Sequence, residues 1–316
     1  MINIAILGFG TVGSGVYDVI TQNKDVIQEK CEQRINVKRV LDIRDFPDHP
    51  VQKILTRNFE DILHDDEISI IVECVGGLDP VYGYTKKALI GGKSVITSNK
   101  EMVAAHGPEM LAVAEENNVR YLLEASVGGG IPIIRPILQC LAANHITEIY
   151  GILNGTTNYI LTRMVKNGES FDDALKLAQE NGYAERDPAA DVEGHDTCRK
   201  IAILASLAFG KNVSWDSIPT TGITKVTVED AKKAEEQNCV LKLIGHAKLE
   251  DGEIVCKVEP TLVPKDSPLA GVDDVYNGIM IRGDFVGDVM FYGRGAGKYP
   301  TASAVVADII DIVRHV

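Results

Sequence analysis

Apolar and polar positions along this chain follow two rhythms. Up to about residue 125, short apolar runs alternate with helix-length amphipathic stretches. The runs at 2–7 (INIAIL), 68–75 and 94–97 show little polar alternation, as expected of strands buried on both faces of a parallel sheet. Further strands are expected at 37–42 and 121–125, with helices from 11 to about 30, over 79–90 and over 102–117. Strand alternating with helix predicts a doubly wound parallel sheet with right-handed crossovers.

Beyond residue 130 the rhythm changes. A helix is expected at 134–143, a strand at 148–153, and a helix after the polar turn 154–158, with Ile160, Leu161 and Met164 on its apolar face. The amphipathic stretch 171–180 ends at Asn181-Gly182, a helix-terminating pair. Another helix carries Ile201, Leu204, Ala205 and Ala208 at helical spacing. Four strand-like runs follow, at 240–248, 254–263, 278–282 and 289–292, without long helices between them. They predict a mainly antiparallel sheet in an α+β domain. A glycine-rich turn at 293–297 and a helix to 313 are expected to return to the first domain. The expected division is 1–130 completed by 293–316, and 131–292.

Candidate chemistry sits at the joints of this pattern. Gly8-Phe9-Gly10-Thr11-Val12-Gly13 lies between the first strand and its helix, where GxGxxG is the phosphate-binding turn of a Rossmann-type dinucleotide fold. Gly8 permits the tight turn, Gly10 the approach of a pyrophosphate, and Gly13 the helix–sheet contact. Asp42 stands where an acid grips a ribose 2′-hydroxyl, while Arg39 and Arg44 suit a 2′-phosphate, so NAD and NADP both stay open. Gly76, Lys100 and Ser126 fall at the carboxyl ends of later strands, where ligands of such sheets bind.

Two further stretches stand out. Residues 124–132, EASVGGGIP, read first as a flexible interdomain turn, although Glu124 and nearby carbonyls are hard oxygen ligands suited to a cation. Residues 182–200 gather Glu185, Asp187, Asp191, Glu193 and Asp196 before Arg199 and Lys200. Asp196 and Lys200 share a helix face at four-residue spacing, which suggests either chemistry or an ion-pair network. Gly295-Ala296-Gly297 has the look of a second close backbone approach to a ligand.

Composition narrows the partners. Hydrophobic residues at 45% and charged residues at 24% suit a globular protein. Forty-five acids against 32 Lys and Arg give a net −13, which argues against nucleic acid or an anionic membrane as partner. No apolar run reaches the roughly 18–20 residues of a membrane span, and the N-terminus runs straight into a strand without a charged leader region. The six cysteines (31, 74, 140, 198, 239 and 256) show no CxxC and no metal-ligand spacing, which fits free thiols in a reducing cytoplasm.

Six motifs together resemble one family, homoserine dehydrogenase. They are ILGFGTVG at 6–13, TSNK at 97–100, EASVGGGIP at 124–132, NGTTNYI at 154–160, GYAERDPAADVEGHDTCRK at 182–200 and GRGAGKYPTASAVVAD at 293–308. The resemblance implies a cytoplasmic, homodimeric oxidoreductase of threonine and methionine biosynthesis. It would interconvert L-homoserine and L-aspartate 4-semialdehyde with NAD or NADP. It implies Lys200 as general acid/base, with Lys100 and Asp196 as catalytic companions. Glu185, Asp191, Asp196, Tyr183 and Thr156 would hold the substrate. Gly76, Lys100, Gly182 and Gly297 would join the glycine turn, Asp42 and Arg44 at the cofactor. Glu124 with the main chain of Val127, Gly129 and Ile131 resembles the family's sodium site, which displaces the flexible-turn reading. Many members carry a C-terminal regulatory ACT domain; this sequence, ending at Val316, is expected to lack it and with it threonine feedback.

Two other classes remain to be weighed. A non-catalytic nicotinamide-nucleotide sensor would keep the glycine turn but would not need Lys100, Asp196 and Lys200 together. A Schiff-base lyase would use Lys200 as nucleophile without a nicotinamide.

Overall fold

The computed structural model describes residues 1–315; Val316, the last residue of the expected C-terminal segment, lies outside them. The chain divides into two compact units, 1–130 together with the segment from 296 onward, and 131–295.

The first unit is built on six parallel strands, β1 (Ile2–Leu7), β2 (Ile35–Leu41), β3 (Leu55–Thr56), β4 (Ile68–Glu73), β5 (Ser94–Thr97) and β6 (Tyr121–Leu122), in the order 3-2-1-4-5-6. This is the strand order of dinucleotide-binding sheets, and its switch point lies between β1 and β4. The helices of this unit are α1 (Thr11–Gln22), α2 (Lys24–Cys31), α3 (Glu60–Leu63), α4 (Val81–Ile90) and α5 (Lys100–Glu116). The single helix expected to about residue 30 is divided at Asn23, which ends α1 and begins α2. Asparagine competes for backbone hydrogen bonds and so favours such a break. The last strand is shorter than expected. Residues Glu124–Ser126 leave the ladder as a 3-10 turn, and the Glu124 N–H donates to Asp308 Oδ2 at 3.1 Å instead. Ile4, Ile6, Val72 and Ile96 from the sheet share one core with Val16 and Ile20 of α1 and with Val305 and Ile309 near the C-terminus.

The second unit contains β7 (Ile146–Ile152), α6 (Gly155–Asn167), α7 (Phe171–Glu180), α8 (Ala189–Val192), α9 (His195–Phe209), α10 (Val228–Glu236), β8 (Cys239–Glu250), β9 (Glu253–Pro264), β10 (Tyr276–Gly283) and β11 (Gly287–Arg294). Its five strands pair antiparallel in the order 11-10-7-8-9. β8 and β9 form one long hairpin turning at Asp251-Gly252, both with positive φ, the pair such tight turns demand. The helix expected at 134–143 begins at 134 but continues as a π-helical turn, Pro136–Cys140, and stops there. Pro136 sits in its first turn, where the missing N–H costs nothing, and the Leu141 N–H closes the turn on the Pro136 carbonyl at 2.8 Å. Asn158 of α6, part of the NGTTNYI motif, is a core cross-link. Its amide donates to the carbonyls of Val272 and Tyr276, and its Oδ1 accepts from the buried Lys242 ammonium at 3.1 Å.

The chain closes with α11 (Lys298–Arg314), whose buried residues Val305, Val306, Ile309 and Ile312 belong to the first unit's core. Among the described residues no helix is long and apolar enough to cross a membrane.

Candidate active site

The glycine turn after β1 has a distinct job at each glycine. Gly8 adopts φ +87°, a conformation that side chains rarely take. A Cβ on Gly13 would lie 1.9 Å from the Gly8 carbonyl oxygen, so helix and turn can close only over a glycine. At Gly10 a Cβ would meet nothing within 4 Å. Gly10 is the N-cap of α1, and no side chain caps that first turn. The N–H groups of Thr11 and Val12, together with the helix dipole, fit a pyrophosphate there.

Phe9 turns inward. Its ring packs edge-on against Tyr17, Phe46 and His49, and its N–H donates to Asp42 Oδ2 at 2.7 Å. Asp42 also accepts from the Arg44 N–H at 2.9 Å, Nε at 3.0 Å and Nη2 at 2.9 Å, so its carboxylate already holds four protein donors. The Arg44 hydrogen bonds are the main cause of holding Asp42 down at about 2, below the usual carboxylate range. The Arg44 guanidinium itself is more than half exposed.

Beyond the ends of β4 and β5 lies a cleft of about 380 Å³, lined by residues 74–77 and 98–101, which include Gly76 and Lys100. Lys100 is the first residue of α5, and Asn99 caps that helix by accepting from the Met102 N–H at 3.1 Å. The Asn99 amide reaches across to the carbonyls of Val75 at 3.0 Å and Gly77 at 2.7 Å, pinning the two loops together.

In the run 124–130, Glu124, Ser126 and Val127 are buried, and Gly128 and Gly129 take positive φ. Gly130 approaches Pro300 so closely that a Cβ would stand 2.7 Å from its ring. Ile131, which opens the second unit, is also buried. This is a packed turn, and its buried carboxylate and main-chain oxygens fit a hard cation in chemical type. Among the described residues there is no cluster of three or more His, Cys, Asp or Glu of the kind that holds a transition metal.

In the second unit, Asn154 joins three segments. Its side-chain oxygen caps α6 by accepting from the Thr157 N–H at 2.8 Å. Its amide donates to Asp191 Oδ1 at 2.7 Å and to Asp196 Oδ2 at 2.9 Å. Lys200, buried on α9, pairs with Asp196 at 2.7 Å and donates to the Leu153 carbonyl at 2.8 Å. Asp191 is pushed above its usual range, first by burial and then by the neighbouring Asp196, while Thr156, Asn154 and Lys200 pull it back. Thr156 donates to the Tyr183 carbonyl at 2.8 Å, and the Tyr183 ring packs edge-on against Tyr159. One ammonium, two carboxylates and an amide thus share a buried corner able to bind an amine and to move a proton.

The remaining expected site residues have their own local settings. Glu185 is exposed, and its main-chain carbonyl accepts from Gln179 at 3.1 Å. Gly182, with φ +72°, turns the chain out of α7, and Gly297 takes φ +124° ahead of α11. The close approach at Gly295 has an internal cause: a Cβ there would sit 2.0 Å from the buried Asn277 amide. Arg199, also in the 182–200 motif, stacks its guanidinium over Trp215 at 4.8 Å. Asn154 and Asn99 carry more of the site than the sequence suggests. Each stands immediately before a helix, which marks it as a cap but leaves the reach of its amide unseen.

A Rossmann sheet with a glycine turn, and a second unit carrying a buried lysine–carboxylate corner, define a nicotinamide-nucleotide oxidoreductase. Comparison with known proteins makes this specific. Residues 8–124 match the family model for the homoserine dehydrogenase NAD-binding domain, and 132–310 match the homoserine dehydrogenase model. The homoserine dehydrogenase of Synechocystis is 46% identical over 99% of this chain and 73% of its own. The crystal structure of a homoserine dehydrogenase from Thiobacillus denitrificans superposes with a TM-score of 0.95 at 42% identity, over 99% of this chain and 73% of that one. A hyperthermophilic archaeal homoserine dehydrogenase solved with NADPH gives 0.83 at 28% identity, over 100% of this chain and 98% of that one. The chain belongs to the homoserine dehydrogenase family.

Proposed function

We propose that this oxidoreductase interconverts L-homoserine and L-aspartate 4-semialdehyde with Lys200 as the proton-transfer residue. The observation that carries the assignment is the buried Lys200–Asp196 pair at 2.7 Å, tied through Asn154 to Asp191. The nicotinamide, when bound, supplies the hydride acceptor or donor. In the reductive direction a protonated Lys200 donates to the oxygen formed at the aldehyde carbon; in oxidation the neutral amine takes the hydroxyl proton. Asp191 and Asp196 receive the substrate ammonium, with Glu185 and Tyr183 at the outer side. Lys100 and Thr156 serve its carboxylate.

The cofactor end of the reading favours NADP. Asp42 is already engaged by four donors, which leaves it poorly placed to grip a ribose hydroxyl, whereas the exposed Arg44 suits a 2′-phosphate. Glu124 and the main chain of Val127, Gly129 and Ile131 are assigned to a sodium ion. The second unit's sheet is assigned to pairing two copies, since Leu262, Val255 and Tyr292 leave apolar surface exposed on it.

Absorbance of reduced nicotinamide, followed with homoserine and each oxidised cofactor, tests the assignment. Reduction is expected with both, faster with NADP; no reduction with either would overturn it, and borohydride trapping of a carbonyl substrate would favour a Schiff-base lysine instead. Arg44→Ala is expected to raise the Michaelis constant for NADP about tenfold and leave that for NAD near its starting value. Activity after desalting, with and without sodium, and the solution mass of the protein test the last two assignments.

A further inference from the structure

Glu73, the last residue of β4, is fully buried. Among the described residues no cation pairs with it, and burial pushes it up to about 7 despite bonds from Thr97, Val75 and Asn99. A buried carboxylate without a counter-ion is costly, so what it holds matters. Its Oε1 accepts from the Val75 N–H at 2.8 Å, and its Oε2 accepts from the Thr97 hydroxyl at 2.5 Å. The same Thr97 oxygen accepts from the Asn99 N–H at 2.9 Å. The Asn99 amide returns to the Val75 carbonyl at 3.0 Å. The bonds close a ring, Glu73–Val75–Asn99–Thr97, under the floor of the cleft that Gly76 and Lys100 line.

We propose that Glu73 is a positioning residue for the nicotinamide end of the cofactor: its ionised carboxylate tightens the ring that sets Gly76 and Lys100 at the cleft, and its neutral form loosens it. The proposal rests on the cofactor reading above, because the strand order places the pyrophosphate at β1 and leaves the ends of β4 and β5 for the nicotinamide. Protonation replaces the charge-assisted bond from the Thr97 hydroxyl with a weaker one, in which the acid O–H donates to the second lone pair of the Thr97 oxygen and the Thr97 hydrogen loses its acceptor. The other titratable groups facing Glu73 are the Cys74 thiol and the Tyr121 phenol of β6. Burial pushes both up, so both stay neutral around pH 7. The ring is therefore tightest above about pH 7 and loosens as the pH falls through it.

Fluorescence titration of the full chain with NADPH, from pH 6 to 8.5, tests this with Glu73→Gln, Thr97→Val and Thr97→Ser. Glu73→Gln is expected to weaken NADPH about tenfold at pH 8.5 without lowering the melting temperature, because an amide replaces a buried charge. A merely structural residue would lose both together. The parent's affinity is expected to fall below pH 7, while that of Glu73→Gln stays flat. Thr97→Val should follow Glu73→Gln, and Thr97→Ser, which keeps the hydroxyl, should recover parental binding; this pair carries the test if Glu73→Gln does not fold. Parental affinity in Glu73→Gln at pH 8.5, or equal weakening in the two Thr97 variants, would overturn the proposal. If the parent binds NADPH but does not oxidise homoserine, the substrate reading fails and this one stands. If the parent binds neither NADPH nor NADH, both fall.

Discussion

At the turn after β1 the groups offered to a ligand are main-chain N–H donors at the uncapped start of α1. In the second unit they are side chains from three separate segments: Asn154 before α6, Asp191 on α8, and Asp196 and Lys200 on α9. A main-chain grip spreads over several equivalent donors and depends on the shape of the turn. A side-chain corner concentrates its chemistry in single groups, each holding its neighbours. The first should therefore tolerate most substitutions that keep the turn, and the second should fail one residue at a time.

The largest effect is expected at Lys200. Lys200→Ala should cut turnover by roughly 10²- to 10⁴-fold, the usual contribution of a positioned acid or base, with cofactor affinity nearly unchanged. It also takes one buried ion-pair partner from Asp196, which lowers stability. Lys200→Arg separates the two effects: it keeps the charge and much of the melting temperature but should still turn over poorly. Parent-like turnover in either variant would remove Lys200 from the chemistry.

Asn154→Ala comes next. It removes a helix cap, worth about 1 kcal/mol, and two bonds to carboxylates, worth about 1.5–3 kcal/mol each. Asp191 and Asp196 would then face each other without the amide between them. A fall of roughly ten- to a hundredfold in kcat/KM for homoserine is expected, with the cofactor constant little changed. If only the melting temperature fell, Asn154 would be a cap and nothing more.

The smallest effect on the fold probes the main-chain side. Gly10→Ala has room for its Cβ, so the melting temperature should hold while cofactor affinity drops about tenfold, because the methyl occupies the pyrophosphate's path. Gly13→Ala, which would press on the Gly8 carbonyl at 1.9 Å, should fail to fold well. Equal behaviour of the two would break the contrast drawn between open and closed faces of the turn.

What was legible follows the same division. The parallel sheet, the glycine turn and the helical spacing of Asp196 and Lys200 were all readable, because each depends on neighbours within a few residues. The helix expected at 134–143 is helical from 134 but continues as a π turn and ends at Cys140. The helix expected to about residue 30 breaks at Asn23. Glu124 falls within the strand expected at 121–125, yet its N–H goes to Asp308, 184 residues along the chain. No local pattern announces such a partner.

Periodicity and glycine spacing, which act over one strand or one turn of helix, determined by themselves where strands, helices and the phosphate turn would fall. Only the tertiary structure decided which acids become tools. Asp42 directly follows β2 and Glu73 ends β4, the two strands that flank β1, and in the sequence both are carboxylates at the end of an expected strand. Packing surrounds Asp42 with Arg44 and holds it at about 2, but buries Glu73 without a cation and lifts it to about 7. Arg44 stands only two residues from Asp42, whereas the burial of Glu73 and its bond from Thr97 come from distant parts of the chain, which no local pattern announces.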